Sequence, residues 1–486
     1  MKRSLFARSL GFCAAVSMFF SFGAARAQEK ANPSPVTGPT PAPAPNAPTA
    51  PNAAPVDTGK LSTSPATTTT ELPAAGPVLP LAQALRNGLE RHPTLRQAEA
   101  NSRAADARVD QAFAPLLPQV TATATYSRST ANPVPRAGQV NLPPRDPSFD
   151  TYGFWNFGIN ASYVVYDFGQ TRGRLRSAEA NAEVTKLSER AQRLNIALNV
   201  RNAYFQARQQ KALLLVATET LTNQERHLGQ IRGFVEIGTR PRIDVVQAQA
   251  DRESAELQRV NAENNYAIAK AQLVQAMGLD NAPPFEVSDE TLAPLDLEEA
   301  EPNRLYSRAL ATRPDVLAAV GSVRAQELSE SALKGGYGPS LSVSTGVTEA
   351  GAALDTLRWN WNAQAALSWP IFQGGITKAQ VREARANVDA ATAQVNLVKQ
   401  QVLLAVEQAR IAVVGAKRAL ATADVLVQNA RERLNLAEGR YQTGVGSIIE
   451  LGDAQLALTN AQQQRVQAEF TLATARAALL NAIGSQ

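Results

Sequence analysis

The sequence predicts an α+β membrane protein, in which very long α-helices alternate with short amphipathic β-strands. Three observations support this class. The chain repeats one unit in tandem, it has long stretches without proline, and it has four segments in which apolar and polar residues alternate. A helix-forming pattern and a strand-forming pattern have different periods, so each segment can be assigned separately.

The chain contains the same unit twice. Residues 238–249 recur as residues 444–455, at an offset of 206, whereas His92-Pro93 matches Arg313-Pro314 at an offset of 221. The difference places an insertion between Pro118 and Val165, where proline-rich sequence favours a surface loop. A unit of about two hundred residues is too long for a solenoid repeat, so we infer one tandem duplication.

The first segment has the pattern of a secretory signal peptide, predicted over residues 1–27. Basic residues precede an apolar stretch from Leu10 to Ala24, and Ala25-Arg26-Ala27 follows as a cleavage site of small residues. The apolar stretch is shorter than the roughly 20 residues that a spanning helix needs. The only cysteine of the chain, Cys13, lies in this segment. We therefore expect no disulfide and no thiolate metal site in the mature protein.

The predicted organisation after the signal peptide has four parts. A Pro/Ala/Thr-rich linker over 28–80 has too few large apolar residues to fold, so we expect it to be disordered. The first repeat is predicted over 81–280, an inter-repeat linker over 281–302, and the second repeat over 303–486. Each repeat is predicted to hold one β-hairpin, at about 117–168 and 339–371. Each also holds one long helical hairpin, over 171–278 and 376–484.

Charge and motifs exclude several classes of protein. The chain has 48 Lys+Arg and 43 Asp+Glu, but the signal segment holds four of the basic residues and no acidic residue. The remainder is close to neutral, so nothing indicates a nucleic-acid partner. We find no nucleophile elbow, phosphate loop or metal-spaced cluster, and we therefore expect no catalytic residue, no cofactor and no metal. His92 and His227 are isolated and are expected to be solvated or capping residues.

The long segments carry a coiled-coil pattern. No proline occurs from Thr171 to Ile237. The second copy shows a heptad seam that alternates alanine with larger residues: Leu420, Ala423, Val427, Ala430, Leu434, Ala437 and Tyr441. A period of 3.5 residues predicts left-handed packing of two helices. Gly238 and Gly444 are expected to end the first helix of each hairpin, and Ser447 with Glu450 has the spacing of a capping box.

The strand segments have one apolar face that carries aromatic residues and one uncharged polar face. The aromatic residues expected to form a membrane girdle are Trp155, Tyr163, Trp359, Trp361 and Trp369. This alternation is the pattern of an outer-membrane β-barrel, although a soluble, half-buried sheet also alternates. Four strands are too few to close a barrel, and open edges are not tolerated in lipid. We therefore expect several chains to share one barrel around a central pore.

These features resemble the TolC-like outer-membrane efflux proteins, also called outer membrane factors. The resemblance extends from Leu81 to Gly484. It rests on the duplication, on the strand-to-helix junctions at Val165–Gly169 and Pro370–Gly375, and on the glycine-led hairpin tips. It implies a homotrimer that forms a shared 12-stranded β-barrel in the outer membrane of a Gram-negative bacterium. It also implies a trimeric α-barrel of coiled-coil helices that extends into the periplasm.

The resemblance also assigns candidate site residues at the periplasmic aperture. Glu450 and Asp453 match a ring of carboxylates that narrows the entrance and favours cations, and Tyr441 matches an aromatic residue that latches it. Helix capping for Glu450, a solvated helix face for Asp453 and core packing for Tyr441 are the alternatives. Family members often have a basic residue where this chain has Gly446. Arg240 occupies the equivalent place in the first copy, so the closing ion pairs are not carried over.

The hairpin tips are the only parts of the helical hairpins that can meet another assembly end-on. We therefore expect a periplasmic adaptor to dock there, and an inner-membrane transporter to complete the assembly. The predicted docking residues are Gly238, Thr239, Arg240, Asp244, Gly444, Val445, Gly446 and Ser447. The expected function is a passive exit duct for small toxic compounds or drugs. A duct for type I protein secretion is one alternative, and a periplasmic coiled-coil scaffold or adhesin is another.

Overall fold

The computed structural model describes residues 76–130, 148–281, 284–295, 298 and 301–485. The predicted signal peptide, most of the predicted 28–80 linker and residues 131–147 of the predicted insertion lie outside the described residues. Among the described helices, none combines the length and the apolar composition required to cross a membrane.

The two repeats fold into the same series of elements. The first repeat consists of β1 (Val78–Leu79), α1 (Leu81–Arg91), α2 (Pro93–Phe113), β2 (Gln119–Ser129), β3 (Tyr152–Tyr166), α3 (Gln170–Glu236) and α4 (Arg242–Ala276), and β4 (Glu286–Val287) follows it. The second repeat consists of α5 (Pro302–Thr312), α6 (Pro314–Lys334), β5 (Ser340–Gly351), β6 (Arg358–Ser368), α7 (Ile376–Gln442) and α8 (Ile448–Ala482). Helices α3 and α7 have 67 residues each, and α4 and α8 have 35 each. The duplication therefore preserves helix length as well as sequence pattern.

The four long strands form one antiparallel sheet in the order β2-β3-β5-β6. Its register places the predicted apolar residues of all four strands opposite one another. In one row Ala122 pairs with Ile159, Ile159 with Val347, and Val347 with Trp361. A continuous apolar face therefore crosses both repeats.

Two details of the sheet depart from the simple alternation. A register shift between Val164 and Tyr166 places Tyr166 opposite Leu341, so Val165 leaves the apolar row that its sequence position predicts. Near the other end of the sheet, Glu349 lies in the apolar row between Phe157 and Trp359. A bulge inserts one extra residue into one strand, so the shift at Val165 changes which face the next residue occupies, whereas Glu349 keeps the regular register.

A second, two-stranded sheet was not predicted. Val78 and Leu79 pair in parallel with Glu286 and Val287. These residues come from the predicted N-terminal linker and the predicted inter-repeat linker, so those linkers are partly structured. Leu79 and Val287 are buried in a cluster with Tyr204, which donates a hydrogen bond to the Leu79 carbonyl at 3.2 Å. Strands of two residues are too short to show a periodicity, which is why the sequence analysis missed them.

The helical core follows the predicted seams. Seam residues such as Ala423, Ala430 and Ala437 are buried, whereas their neighbours on α7 are exposed. α3 contacts α2 and α4 of its own repeat and α6 and α8 of the other. Alanine at alternate seam positions allows close approach of the helix axes. The two repeats are therefore joined by helix packing as well as by the shared sheet.

The inter-repeat segment also binds to both repeats through carboxylates. Lys211 and Lys270 of the first repeat pair with Asp289 and Glu286, at 3.2 Å each. At the equivalent positions of the second repeat, Lys417 and Arg476 both reach the carboxylate of Glu298 at 2.6 Å. The Glu298 side chain is only 1% exposed. The inter-repeat segment thus provides carboxylate partners for the same two basic positions in each repeat.

Candidate functional site: the hairpin tips and the strand faces

Both hairpin tips end in the same capping motif. Gly238 has φ 76° and Gly444 has φ 82°, a conformation that glycine adopts without strain. Thr239 N–H donates to the Phe234 carbonyl at 3.0 Å, and Val445 N–H donates to the Arg440 carbonyl at 3.1 Å. These are the bonds of a Schellman motif, so the predicted glycine caps are present at both tips.

The next helix begins differently in the two copies. At the second tip, Ser447 is the N-cap and its hydroxyl accepts a hydrogen bond from Glu450 N–H at 3.2 Å. At the first tip the N-cap is Pro241, which has an extended conformation and directly precedes Arg242, the first residue of α4. The predicted capping bond of Ser447 is thus observed, whereas Pro241, at the equivalent position of the first copy, makes no side-chain capping bond.

The two tips touch through Arg240 and Tyr441. The Arg240 guanidinium lies 4.4 Å from the centre of the Tyr441 ring, and its Nη2 donates to the Tyr441 carbonyl at 2.9 Å. A cation over an aromatic face and a charge-assisted hydrogen bond are both stabilising. The basic residue that the second tip lacks at Gly446 is therefore supplied by the first tip of the same chain.

Gly446 has a steric reason to be glycine. Its N–H donates to the Arg440 carbonyl at 2.8 Å, and a Cβ at this position would lie 2.9 Å from the Tyr441 backbone nitrogen. Any side chain would therefore collide with the end of α7. The same close approach lets Arg240 Nη2 reach the Gly446 carbonyl at 3.4 Å.

Tyr441 is buried, with 3% of its surface exposed. Its hydroxyl lies 3.5 Å from Asp244 Oδ2, and its ring contacts His227 and Phe234 at centroid distances of 5.7 and 6.3 Å. Burial, together with the Asp244 carboxylate, raises the pKa of the Tyr441 hydroxyl and keeps it protonated. Tyr441 therefore joins α3, α4 and α7 at one point.

His227 is not solvated, contrary to the expectation from sequence. It is 9% exposed, and burial lowers the pKa of its imidazole despite the opposing effects of Gln230 and Asp251. The neutral ring therefore packs on Tyr441. His92 does cap a helix, since its Nδ1 accepts a hydrogen bond from Thr94 N–H at 3.3 Å.

The two candidate aperture carboxylates have different surroundings. Glu450 lies 3.5 Å from the Nε of Arg440, in an ion pair whose side chains are both well exposed. Asp453 is exposed and, together with Asp244 and Asp251, lines a cavity of about 700 Å³ between α3, α4 and α8. Within the described residues, no group of three or more His, Cys, Asp or Glu is placed to hold a metal ion.

The predicted girdle residues lie on the apolar face of the sheet or just beyond it. Trp359, Trp361 and Trp369 are exposed, at 74, 55 and 62%. Trp155 is half-buried because Tyr126 packs against it with ring centroids 4.5 Å apart. Trp369 lies one residue past the end of β6, and its indole N–H donates to the Tyr337 carbonyl at 3.2 Å.

Sequence reasoning missed three members of the tip cluster. His227 and Phe234 pack on Tyr441, and Arg440 pairs with Glu450. The offset of 206 residues gave a partial signal, because it pairs Asp244 with Glu450 and so marks both as tip carboxylates. Nothing in the offset indicates that Asp244 is buried while Glu450 is not.

The comparisons with known proteins agree with this architecture. The family model described as "Outer membrane efflux protein" matches residues 84–279 and 305–485. "Antibiotic efflux pump outer membrane protein ArpC" of Pseudomonas putida is 26% identical over 83% of this chain and 82% of its own. "Toluene efflux pump outer membrane protein TtgC", also of Pseudomonas putida, is 25% identical over the same shares.

A solved structure has the same fold. The outer membrane protein VceC from Vibrio cholerae matches with a TM-score of 0.72 at 21% identity, covering 83% of this chain and 96% of that one. The predicted fold class, mostly long helices with four strands in one sheet, is confirmed. Since the family model covers most of both repeats, the chain belongs to the outer membrane efflux protein family, whose members are outer-membrane exit channels that extend into the periplasm.

Proposed function

We propose that three copies of this chain form a passive exit duct. The observation that carries the proposal is the sheet itself, which has a continuous apolar face and leaves β2 and β6 as its outer strands. In lipid such strands need partners, because each unpaired backbone group is costly. Three four-stranded sheets paired edge to edge supply the twelve strands of a closed barrel.

The other face of the sheet supports a water-filled lumen. Through the middle of the sheet, the residues of this face are short polar side chains and glycines: Thr121, Thr123, Asn156, Gly158, Asn160, Ser162, Ser344, Gly346, Thr348, Asn360, Asn362 and Gln364. Phe154, Ala350 and Arg358 lie on this face towards one end of the sheet, and Val164 and Ala366 towards the other. Amide and hydroxyl groups hydrate a pore without holding an ion strongly. Passage through this part of the duct therefore needs no energy from the chain itself.

The tip cluster supports a closed entrance. Arg240, Tyr441 and Asp244 hold α4 and α7 together at the periplasmic end, and opening would separate these contacts. A periplasmic adaptor that docks on the exposed tip residues, such as Thr239 and Val445, is the partner that we propose to open it. An inner-membrane transporter would supply the energy.

The substrate class that we propose is small toxic organic compounds. Two relatives are named for the efflux of antibiotics and of toluene. Type I protein secretion, the alternative within the channel class, is not favoured by either name. The scaffold or adhesin alternative conflicts with membership of an efflux channel family.

The entrance hypothesis is tested by removing Glu450 and Asp453. In a trimer they bring six carboxylates to one axis, so the closed duct should prefer cations and be blocked by multivalent cations from the periplasmic side. The Glu450→Ala/Asp453→Ala variant should lose both properties in planar-bilayer recordings.

The matched control is Glu219→Ala/Glu236→Ala. It removes two exposed carboxylates from α3 and should leave the selectivity unchanged. If the Glu450/Asp453 variant kept the cation preference and the block, these residues would not line the pore. Their alternatives, capping and a solvated helix face, would then stand.

A further inference from the structure

A cavity lies where the sheet of the first repeat meets the long helices. It has a volume of about 390 Å³ and is lined by the end of β3, the start of α3, α6 and the turn after α2. Since the helices extend into the periplasm, this junction lies at the level of the periplasmic leaflet of the outer membrane. The cavity therefore faces the region where phospholipid headgroups lie.

One wall of the cavity is aromatic and continues the lipid-facing row of the sheet. Tyr163 pairs with Val343 in that row, and Tyr166 pairs with Leu341 because of the register shift between Val164 and Tyr166. Tyr166 contacts Phe168 edge to face, with ring centroids 5.0 Å apart. These rings are between 37 and 57% exposed. Aromatic side chains of this kind are enriched at the membrane–water interface.

Phe168 occupies its place at a cost in backbone strain. Its φ is 52°, and it is the only residue other than glycine with a positive φ in the described part of the chain. The equivalent residue of the second repeat is Gly374, with φ 60°. A backbone conformation of this kind persists only where the surrounding structure enforces it, and such residues cluster at functional sites. The first repeat therefore presents an aromatic ring where the backbone would favour glycine.

The opposite wall is basic. Arg172 and Arg176 line the cavity from successive turns of α3, and both side chains are exposed. Within the described residues, neither guanidinium has a hydrogen bond or an ion pair. The single carboxylate among the lining residues, Asp167, accepts hydrogen bonds from the backbone and hydroxyl of Thr171, at 2.7 and 2.5 Å. The two arginines are thus available to an anion from outside the chain.

We propose that this cavity binds the headgroup of an anionic phospholipid from the periplasmic leaflet. The two guanidinium groups pair with the phosphate, since planar guanidinium groups suit phosphate oxygens. The acyl chains lie along the apolar row that begins at Tyr166 and Tyr163. A basic pocket beside an apolar, aromatic-rimmed surface matches both parts of such a lipid.

The test measures lipid binding to the purified, delipidated channel by native mass spectrometry. The channel is titrated with phosphatidylglycerol or with phosphatidylcholine of the same acyl chains. Each arginine near an anionic headgroup is worth about fivefold in affinity, so the two should make phosphatidylglycerol bind roughly twenty-five-fold more tightly. Arg172→Gln/Arg176→Gln should remove this preference. It should weaken phosphatidylcholine binding less, because the choline cation of that lipid offsets the charge of its phosphate.

The chain offers a matched control on the same helix turn. Arg174 is exposed but does not line the cavity, so Arg174→Gln should keep the preference. Phe168→Gly should weaken the binding of both lipids equally, because it removes apolar wall and no charge. Heat-resistant assembly on unheated gels shows that each variant has folded.

Three results would overturn the proposal. The first is that the unaltered channel shows no preference for phosphatidylglycerol, and the second is that Arg174→Gln loses the preference as fully as the double variant. The third is displacement of bound phosphatidylglycerol by millimolar inorganic phosphate, because the site would then recognise a free phosphate rather than a lipid.

Discussion

Arg240 shows how single residues make the two copies functionally unequal. At the offset of 206 residues, Arg240 corresponds to Gly446, and buried Asp244 corresponds to half-exposed Glu450. Only one copy therefore provides the cation and the buried carboxylate, and only the other provides Tyr441. This complementarity produces one joint cluster from two related tips, where strict symmetry would produce two separate ones.

His227 leads to a prediction of pH dependence at this cluster. Burial depresses the pKa of its imidazole, so the folded tip binds a proton less readily than the unfolded chain does. The contribution of neutral His227 to the stability of the tip is complete at neutral pH. It is lost as the pH falls below the pKa of histidine in the unfolded chain, about 6.5. We expect the closed duct to conduct more as the pH falls from 7 to about 5.5.

The control for this pH dependence is His227→Gln, which cannot take up a proton in this range. Planar-bilayer conductance measured against pH should be flatter for this variant than for the unaltered channel. The Asp251 carboxylate on α4 favours the protonated imidazole, and the Tyr441 ring on α7 packs against it. His227→Gln leaves both neighbours in place, so the variant tests the imidazole alone. Identical pH profiles would show that His227 does not control the tip.

At the scale of elements, the sequence was informative where a pattern was long. The heptad seam predicted the hairpin of α7 and α8, and the alternation predicted four strands, because each pattern runs over several periods. It failed for β1 and β4, which have two residues each, and for the position of Val165. Pairing across distant segments and a register shift depend on tertiary contacts, which a local pattern does not contain.

The face assignment of the sheet gives a prediction at the same scale. Leu367 is 71% exposed in the apolar row, opposite Leu341, whereas Gln364 pairs with Ser344 in the polar row. Ala363→Arg, two apolar rows nearer the membrane midplane, should cost about 2 to 4 kcal/mol, because the charge would face lipid. Leu367→Arg should cost about 1 kcal/mol or less, because its row lies at the periplasmic end of the sheet. Gln364→Arg should be mild. The fraction of heat-resistant trimer on unheated gels measures all three, and equal tolerance at Ala363 and Gln364 would contradict the face assignment.

At the scale of the whole molecule, the inter-repeat segment is the part that sequence reasoning described least well. It was predicted as a linker, yet it holds basic residues of both repeats through Glu286, Asp289 and Glu298. The composition of the segment shows its carboxylates but not which lysines and arginines they meet. The tip cluster was predictable only in part for the same reason, since Arg240 and Tyr441 lie 201 residues apart.

Removing the Glu298 carboxylate should therefore weaken the whole chain. Burial disfavours its charge, but hydrogen bonds from Arg476 and Lys417 outweigh this and lower the pKa of the carboxyl. Its contribution is present above the unfolded pKa and is lost as the pH falls through the lower, folded value. Glu298→Gln should cost up to about 3 kcal/mol, because it removes the counter-charge of the largely buried Arg476 guanidinium.

The readout is the temperature at which the assembled protein dissociates on gels. Glu301→Gln is the control, because Glu301 is exposed and its side chain makes no capping bond. The Glu298 variant should dissociate at a clearly lower temperature than the control. Equal temperatures would mean that the ion pairs with Lys417 and Arg476 add no net stability.

The orientation of the molecule gives the last prediction. If the tips form the periplasmic entrance, an adaptor meets Thr239 and Val445, which are exposed on the two adjacent tips, and does not meet the turn between β5 and β6. Cysteines placed singly at Thr239, Val445 and Leu354 test this, because the only native cysteine is Cys13 in the predicted signal peptide. Leu354 is 59% exposed in that turn, so a failure to react there is not due to burial.

Cross-links to the adaptor should form from the two tip positions and not from Leu354. Cross-links from Leu354 alone would reverse the orientation, since the helical hairpins would then point away from the adaptor.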